Sequence, residues 1–489
     1  MGGTLTAQGT AWFVADGQWL GRLVFQRALA AVYVVAFLSA RNQFRALLGA
    51  HGLLPIPAYV RRVPFKRAPS LFQWRYSDGL FEAVCWVGIV LGLASVIGVT
   101  GALPLGACMA VYAVLWALYL SIVNVGQTWY SFGWESLLLE AGFLAIFLGN
   151  GATAPPVLIL WLLRWLLFRL EFGAGLIKIR GDRCWRDLTC LRYHHETQPL
   201  PNPASWWFHH LPMPLHKVEV LANHFTQLVV PVLVFAPQPV AGFAALVMIV
   251  TQCWLVSSGN FAWLNVLTIT LAIPVLGDGL LHHGLPFSAP AHLVSPAWWE
   301  SVVVAVTVLI LALSYRPARN LVSRRQLMNA SFDQLHLVNT YGAFGGITRV
   351  RHEVVVEGTA DSAITDTTTW HEYGFRGKPG DVRRRPPQVA PYHLRLDWMM
   401  WFAGISPAYA RSWFGGLVER LLRNDRDTLR LLRTNPFPDE PPMFVRALLY
   451  RYRFTTWRER RQTGRYWDRD VAGEFLRPVR RQHETAVRG

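Results

Sequence analysis

Charge is what most of this chain lacks. Charged residues fill 16% of its 489 positions and hydrophobic residues 52%, whereas a soluble protein carries about a quarter charged residues. An ordinary water-soluble globule is thereby excluded. Lysine is nearly missing, occurring only at Lys66, Lys178, Lys217 and Lys378; a GC-rich genome explains that bias more simply than chemistry does. Five cysteines are too few for a disulfide scaffold. Cys85, Cys108 and Cys253 lie in apolar segments, where a small buried hydrophobe is the default. Cys184 and Cys190 share one polar loop and can pair only in an oxidising compartment. The N-terminus has no basic stretch followed by a short apolar run and a small-residue cleavage site, so no cleaved signal peptide is expected. Nucleotide loops, nucleophile elbows and zincin motifs are missing too, and no cofactor is expected. Gly345–Gly346 reads as a turn signal.

What is present is apolar length. A membrane helix takes about 20 mostly apolar residues. Such stretches occur near 22–40, 80–98, 105–123, 155–177, 239–257 and 300–315, with less clean ones near 132–149, 219–236 and 260–277. These predict an α-helical polytopic membrane protein with eight or nine crossings. Trp19, Trp129, Trp134, Trp263, Trp298 and Trp299 flank span ends, as interfacial aromatics do. The net charge of +17 is concentrated: 30 of the 47 basic residues follow Tyr315. Basic surplus alone can signal nucleic acid. Beside these spans it fits a lipid surface better, so a membrane lipid and no nucleic acid is the expected partner. With nine spans the basic regions 41–78, 178–217 and 316 onward share one side, which the positive-inside rule makes cytoplasmic.

The division expected is a multi-span membrane domain over 1–315 with a conspicuous loop at 178–217, a soluble α+β domain over 316–472, and a charged, frayed tail over 473–489. Phe344 to Glu357 has strand patterning, and 358–391 is turn-rich. HLRLDWMMWFAG and WFGGLVERLLRNDRDTLRLLR read as amphipathic helices. FVRALLYRYRFTTWR alternates like a strand.

Polar residues inside the apolar spans carry the candidate chemistry. Arg164, Arg169, Glu171 and Lys178 lie in or at the end of one apolar helix, and the seven-residue spacings put Arg164, Glu171 and Lys178 on one face. Intramembrane charge is costly, so it faces the protein interior, either as a polar centre for a headgroup or proton or as a structural ion pair. Glu140 sits a turn deeper than Glu135 and is a partner for Arg169 or Arg164. Asn223, His224 and Gln227 bind helices together or line the cavity that holds Glu171. The loop at 178–217 gathers Cys184, Cys190, His194, His195, His209, His210 and His216 among many aromatics. A long loop of that composition is folded and functional rather than disordered. Its Cys-x5-Cys and scattered histidines do not match zinc spacings, so no metal is expected; nor is it a Cys-x-x-Cys redox pair.

Taken together, NQFRALLGAHGLLP, PSLFQW, WYSFGWESLLLEAGFLAIFL, RGDRCWRDLTCLRYHHETQPLPNP, LPMPLHKVEVLANHF, SGNFAWLNVLT, LVNTYGAFGGITRVRHEVVVEG, WHEYGFRGKPGD and PYHLRLDWMMWFAG resemble the lipase maturation factor family, in order and across both domains. The N-terminal spans are also distantly similar to the membrane part of vitamin K-dependent carboxylases. The first resemblance implies a membrane factor of the endoplasmic reticulum that helps secreted lipases fold and assemble, more a chaperone-like factor than an enzyme, with a client protein as partner and no catalytic residue to carry over. It also implies that the large regions outside the membrane face the lumen, against the charge rule, which long translocated domains escape. The arginine-rich, compact sequence suggests a bacterial cell membrane instead of a reticulum membrane. The other reading is a membrane-embedded enzyme acting on a lipid, quinone or protein side chain at the interface. A deep, partly apolar cavity with convergent polar groups favours the enzyme, and a filled bundle with paired charges favours the factor.

Overall fold

The computed structural model describes residues 12–481. The chain enters with α1 (Trp19–Leu47), then α2 (Asp78–Val96), α3 (Leu105–Val125), α4 (Gly133–Ala145), α5 (Val157–Arg180), α6 (Met213–Leu228), α7 (Val240–Ser258), α8 (Leu264–Leu276) and α9 (Ala297–Val322). Among the described residues five helices, α1, α2, α3, α7 and α9, are long and apolar enough to cross a membrane. The eight or nine crossings expected are not confirmed. Helices α4 and α8 have 13 residues each and α6 has 16, and 13 residues rise only about 20 Å against a hydrocarbon core of about 30 Å. Helix α5 has 24 residues but carries the charges already noted.

Packing explains which apolar residues turn inward. Helix α1 lies against α2 and α8, and α7 packs along α8. The outward faces stay apolar: Trp86, Val90 and Leu93 on α2, Phe243 and Val250 on α7, Val308 and Leu311 on α9 are all exposed. Patches of that kind suit lipid and would associate in water. The tryptophans depart from expectation. Trp129, Trp134, Trp263 and Trp299 are buried inside the protein, Trp19 nearly so, and only Trp298 of the six is exposed. Each buried indole competes for a place in the core, and Trp263 Nε1 donates to the Trp134 carbonyl at 3.1 Å.

After α9 the chain runs irregularly to β1 (Arg351–Thr359), so the strand begins seven residues later than the pattern from Phe344 suggested. Short strands β2 (His371–Glu372) and β3 (Gly374–Phe375) follow, then α10 (Arg395–Ile405), α11 (Phe414–Leu422), β4 (Leu432–Thr434), β5 (Phe444–Phe454) and β6 (Trp467–Arg480). The main sheet is antiparallel in the order β2-β1-β5-β6, and β3 pairs with β4. Its register runs from Arg351 opposite Tyr452 to Thr359 opposite Phe444. The tail expected to fray from Gly473 instead continues β6 to Arg480, paired with β5; residues 482–489 lie outside the described residues.

Helix α10 packs on β1 and also seals the sheet region to the membrane helices. Arg395 Nη1 donates to the Trp129 carbonyl and to Glu135 Oε1, each at 2.7 Å. Gln43 Nε2 reaches the His393 carbonyl at 2.7 Å, and Asn260 Nδ2 reaches the Pro387 carbonyl at 2.9 Å. The hydrophobic core is continuous across this seam.

Candidate functional site

Helix α5 positions two polar centres on different faces. Arg169 pairs with Glu140 of α4, both fully buried. Arg169 also donates to the Asn339 carbonyl at 2.6 Å, while Glu140 Oε2 accepts from Asn339 N at 3.0 Å and Tyr341 Oη at 2.7 Å. Of the two partners proposed for Glu140, Arg169 is the one it takes. Arg164 goes elsewhere, donating to the Val234 carbonyl at 3.1 Å.

The second centre is open. Glu171 accepts from Gln227 Nε2 at 3.0 Å and from Gln252 Nε2 at 2.6 Å. Lys178 donates to Asn223 Oδ1 at 2.9 Å and Gln227 Oε1 at 2.6 Å. Gln227 therefore bridges the anion and the cation, using its oxygen for one and its nitrogen for the other. Asn265 extends the chain of contacts by donating to Gln252 Oε1 at 2.7 Å.

These groups line a cavity of about 640 Å³, within the range of small-ligand sites. The walls are mainly apolar: Trp185, Phe261, Phe344, Trp398, Trp401 and Phe402 surround the polar side chains, and residues from α5, α6, α7, α8 and α10 all contribute. Chemically it offers two carboxylates, Glu171 and Glu219, one amine, two imidazoles and several amide groups around an apolar space, which suits an amphipathic guest. Glu171, Lys178, His194 and His195 meet there. Glu140, Arg164 and Arg169 do not line it, and neither does His224, whose Nε2 contacts the Trp185 carbonyl at 3.0 Å. The suggestion that Asn223, His224 and Gln227 line one cavity thus holds for Asn223 and Gln227 only.

The 178–217 loop is folded, as its composition suggested. Short helices Arg183–Arg186, Leu191–Thr197 and Ser205–His209 give it regular structure. Cys184 and Cys190 form a disulfide with Cα atoms 4.8 Å apart, inside the usual range. Asp182 caps the first helix by accepting from Cys184 N, and Arg349 clamps the same carboxylate at 2.7 Å, which holds it below the ordinary aspartate range. Further along, Trp206 Nε1 donates to the Thr455 carbonyl at 2.9 Å, and Glu196 Oε2 accepts from Phe454 N at 2.7 Å. The loop is thereby fastened to β5 at one end and to the cavity at the other. His194 stacks beside Phe261 and meets the edge of Phe344. Burial pushes its pKa down to about 3, so it enters the cavity wall as a neutral ring.

Sequence reading missed Gln252, Asn265, Glu219 and Tyr341. Gln252 left a signal, as a lone amide inside the apolar stretch 239–257. Tyr341 left none, because its partner Glu140 lies far away in the chain, and Glu219 left only its i,i+3 spacing from His216.

A family profile described as the lipase maturation factor transmembrane domain matches residues 20–283, and one described as the lipase maturation factor C-terminal domain matches 337–477. The chain belongs to the lipase maturation factor family. It is 42% identical to lipase maturation factor 1 of Bos taurus, over 95% of this chain and 90% of that protein. It is 41% identical to lipase maturation factor 1 of Homo sapiens, over 94% and 88%. Lipase maturation factor 2 of Homo sapiens is 31% identical, over 95% and 83%. These relatives are eukaryotic and give no support to the bacterial origin that the arginine content suggested. No solved structure matches the chain. The family profiles fall on either side of α9, so the cavity, which draws walls from α5 to α8 and from α10, is built from both matched regions.

Proposed function

We propose that this chain is a maturation factor for secreted lipases, assisting their folding and assembly from within the endoplasmic reticulum membrane. The observation that carries the reading is the match to lipase maturation factor 1 along nearly the full length of both proteins. Residues 1–315 serve as the membrane part. Residues 316–472, together with the 178–217 loop, form the client-facing part on the lumenal side. The disulfide between Cys184 and Cys190 supports that side, because such bonds persist in oxidising compartments. It weighs against the cytoplasmic placement drawn from basic charge.

The experiment is complementation. Cells lacking their own lipase maturation factor are supplied with this chain and a secreted lipase, and the activity of the medium is divided by lipase mass. Recovery of specific activity supports the reading. No recovery, with the chain inserted in the membrane at normal level, rejects it.

One observation favours a second reading, a membrane-embedded enzyme acting on a lipid, quinone or protein side chain. The cavity of about 640 Å³ with Glu171 and Lys178 in its wall is more space than a membrane anchor needs. Lys178→Met and Glu171→Gln separate the two. A factor that works through its outer surface keeps its complementation when the cavity is altered, whereas an enzyme loses it while the chain stays folded.

A further inference from the structure

Folding brings a third side chain, His195, to a pair that already shares a helix face. His216 and Glu219 are three residues apart on α6, so they share a face. His195 comes to the same point from the short helix Leu191–Thr197. One ligand atom from each of the three lies within 4.8 Å of the others. His216 Nδ1 is 3.2 Å from Glu219 Oε2, and His195 Nε2 is 3.8 Å from the same oxygen. Donor atoms around a tetrahedral zinc with bonds of about 2.0–2.1 Å stand about 3.3 Å apart. The two spacings to Glu219 bracket that value, and the two histidine nitrogens lie within 4.8 Å of each other.

The hydrogen bonding here is incomplete in a way a cation would complete. His195 is 2% exposed, yet neither of its ring nitrogens has a hydrogen-bond partner. A buried imidazole with nothing bound to it is unfavourable. His216 has the opposite difficulty: its Nε2 faces the His209 carbonyl at 3.4 Å while its Nδ1 faces the Glu219 carboxylate. Both neighbours are acceptors, and a neutral ring has one N–H to give. With the proton on Nε2, the Nδ1 lone pair points at Oε2, and a cation is needed between them. A second proton on His216 would serve that contact but would leave His195 unexplained. A metal ion serves both rings. The surroundings also resemble an outer shell that orients ligands: Trp254 Nε1 donates to Glu219 Oε1 at 2.8 Å, leaving Oε2 for the ion.

We propose that His195, His216 and Glu219 bind a divalent transition metal, with zinc the choice that two imidazoles and a carboxylate favour. His195 and Glu219 also line the large cavity, so the fourth position of a tetrahedral ion opens toward its guest. Three protein ligands with one open position is the arrangement in which zinc takes a water or a polar oxygen of a bound molecule. The proposal departs from the expectation of no metal in the loop, which rested on the spacing of cysteines and histidines. The cysteines are joined to each other, and the third ligand is a glutamate on the following helix. The inference stands independently of the maturation reading.

The test uses the full-length chain in detergent micelles, purified on a tag without histidines and without chelator. Metal content is measured by mass spectrometry. Chelator-stripped protein is then titrated with zinc alone against a fluorescent competitor, and its thermal midpoint is followed. One zinc per chain is expected, with a midpoint that rises on adding zinc. Even outer-shell partners carry about 10–100-fold of metal affinity, so His195→Ala, His216→Ala and Glu219→Gln should each weaken zinc by about 100-fold or more. His224→Ala, a neighbouring histidine outside the cluster, should bind like the parent. Glu219→Gln conserves shape and keeps the test valid if a histidine variant fails to fold. Parent protein with well under one metal per chain and no midpoint response overturns the proposal. So does full zinc affinity in a folded His195→Ala.

Discussion

At the residue scale the informative groups are charges without water. Glu140 and Arg169 are buried together, and Glu140 also receives Asn339 and Tyr341. Removing one member of a buried pair leaves the other uncompensated, at a cost of about 3–5 kcal/mol, whereas replacing both with apolar groups is often neutral. Arg169→Met and Glu140→Met should therefore each lower the melting temperature in micelles far more than the double variant does. Equal or additive losses in the cycle would show that the pair is not coupled. His393 allows a second prediction. Burial first, and then the Arg395 charge, push its pKa down to about 4 from 6.5. The unfolded chain therefore binds the extra proton first, and stability is lost as pH falls from about 6.5 toward 4, by about 1.4 kcal/mol per unit. Asp397 runs the other way, since burial lifts its pKa to about 6 from 3.8 and protonation favours its folded form. The measurement must therefore be a difference. Unfolding free energies of the parent and His393→Asn, followed from pH 7 to pH 5, should converge as pH falls. Sequence alone offered Glu140, Arg169 and Glu171 because charge inside an apolar run is conspicuous by itself. It could not choose between Arg164 and Arg169 for Glu140, since helical spacing says nothing about which face a neighbouring helix presents.

At the scale of elements, hydropathy located the helices, while five of them meet the length and composition of a crossing. The stretches near 132–149 and 260–277 are apolar enough to suggest spans, but their helices stop at 13 residues. Their apolar character reflects burial in protein, which a composition window cannot separate from burial in lipid. The same confusion moved the tryptophans to the interface when the fold needed them inside. Close backbone approach is another element-scale feature with a testable consequence. Gly173 on α5 lies so near the returning chain that a Cβ there would sit 2.5 Å from the Tyr341 carbonyl oxygen. That contact is backbone, so little can give way. Helix propensity favours alanine over glycine by about 1 kcal/mol, while forced overpacking costs about 1–3 kcal/mol. Gly173→Ala should thus be destabilising despite its propensity, and its thermal midpoint should fall. Gly106 on α3 has open space around its Cβ position, and Gly106→Ala should be neutral or stabilising. If both variants behave alike, α5 does not press on residues 339–345 as described.

On the scale of the whole molecule, the order of parts was legible: apolar helices first, then a basic region with strands. The join between them was not. Glu135 and Arg395 meet across 260 residues of chain, and the cavity takes walls from α5 to α8 and from α10; no local pattern encodes such contacts. The side of the membrane is where two physical arguments collide. Basic loops are retained in the cytoplasm when they are short, but whole domains translocate despite their charge. The sheet region is a domain by this measure, and the loop fastened to it carries a disulfide. The proposed function puts both on the lumenal side. A glycan reports that directly. The turn-rich segment at 361–366 is exposed, and Asp366→Asn creates an Asn-x-Thr acceptor with Thr367 and Thr368. Expressed in a eukaryotic cell, this variant should gain one endoglycosidase-sensitive glycan relative to its parent, because only a lumenal segment meets the transferase. An unmodified product from folded, membrane-inserted protein would return the sheet domain to the cytoplasm. It would then also place the Cys184–Cys190 bond in a reducing compartment, where it should be found open.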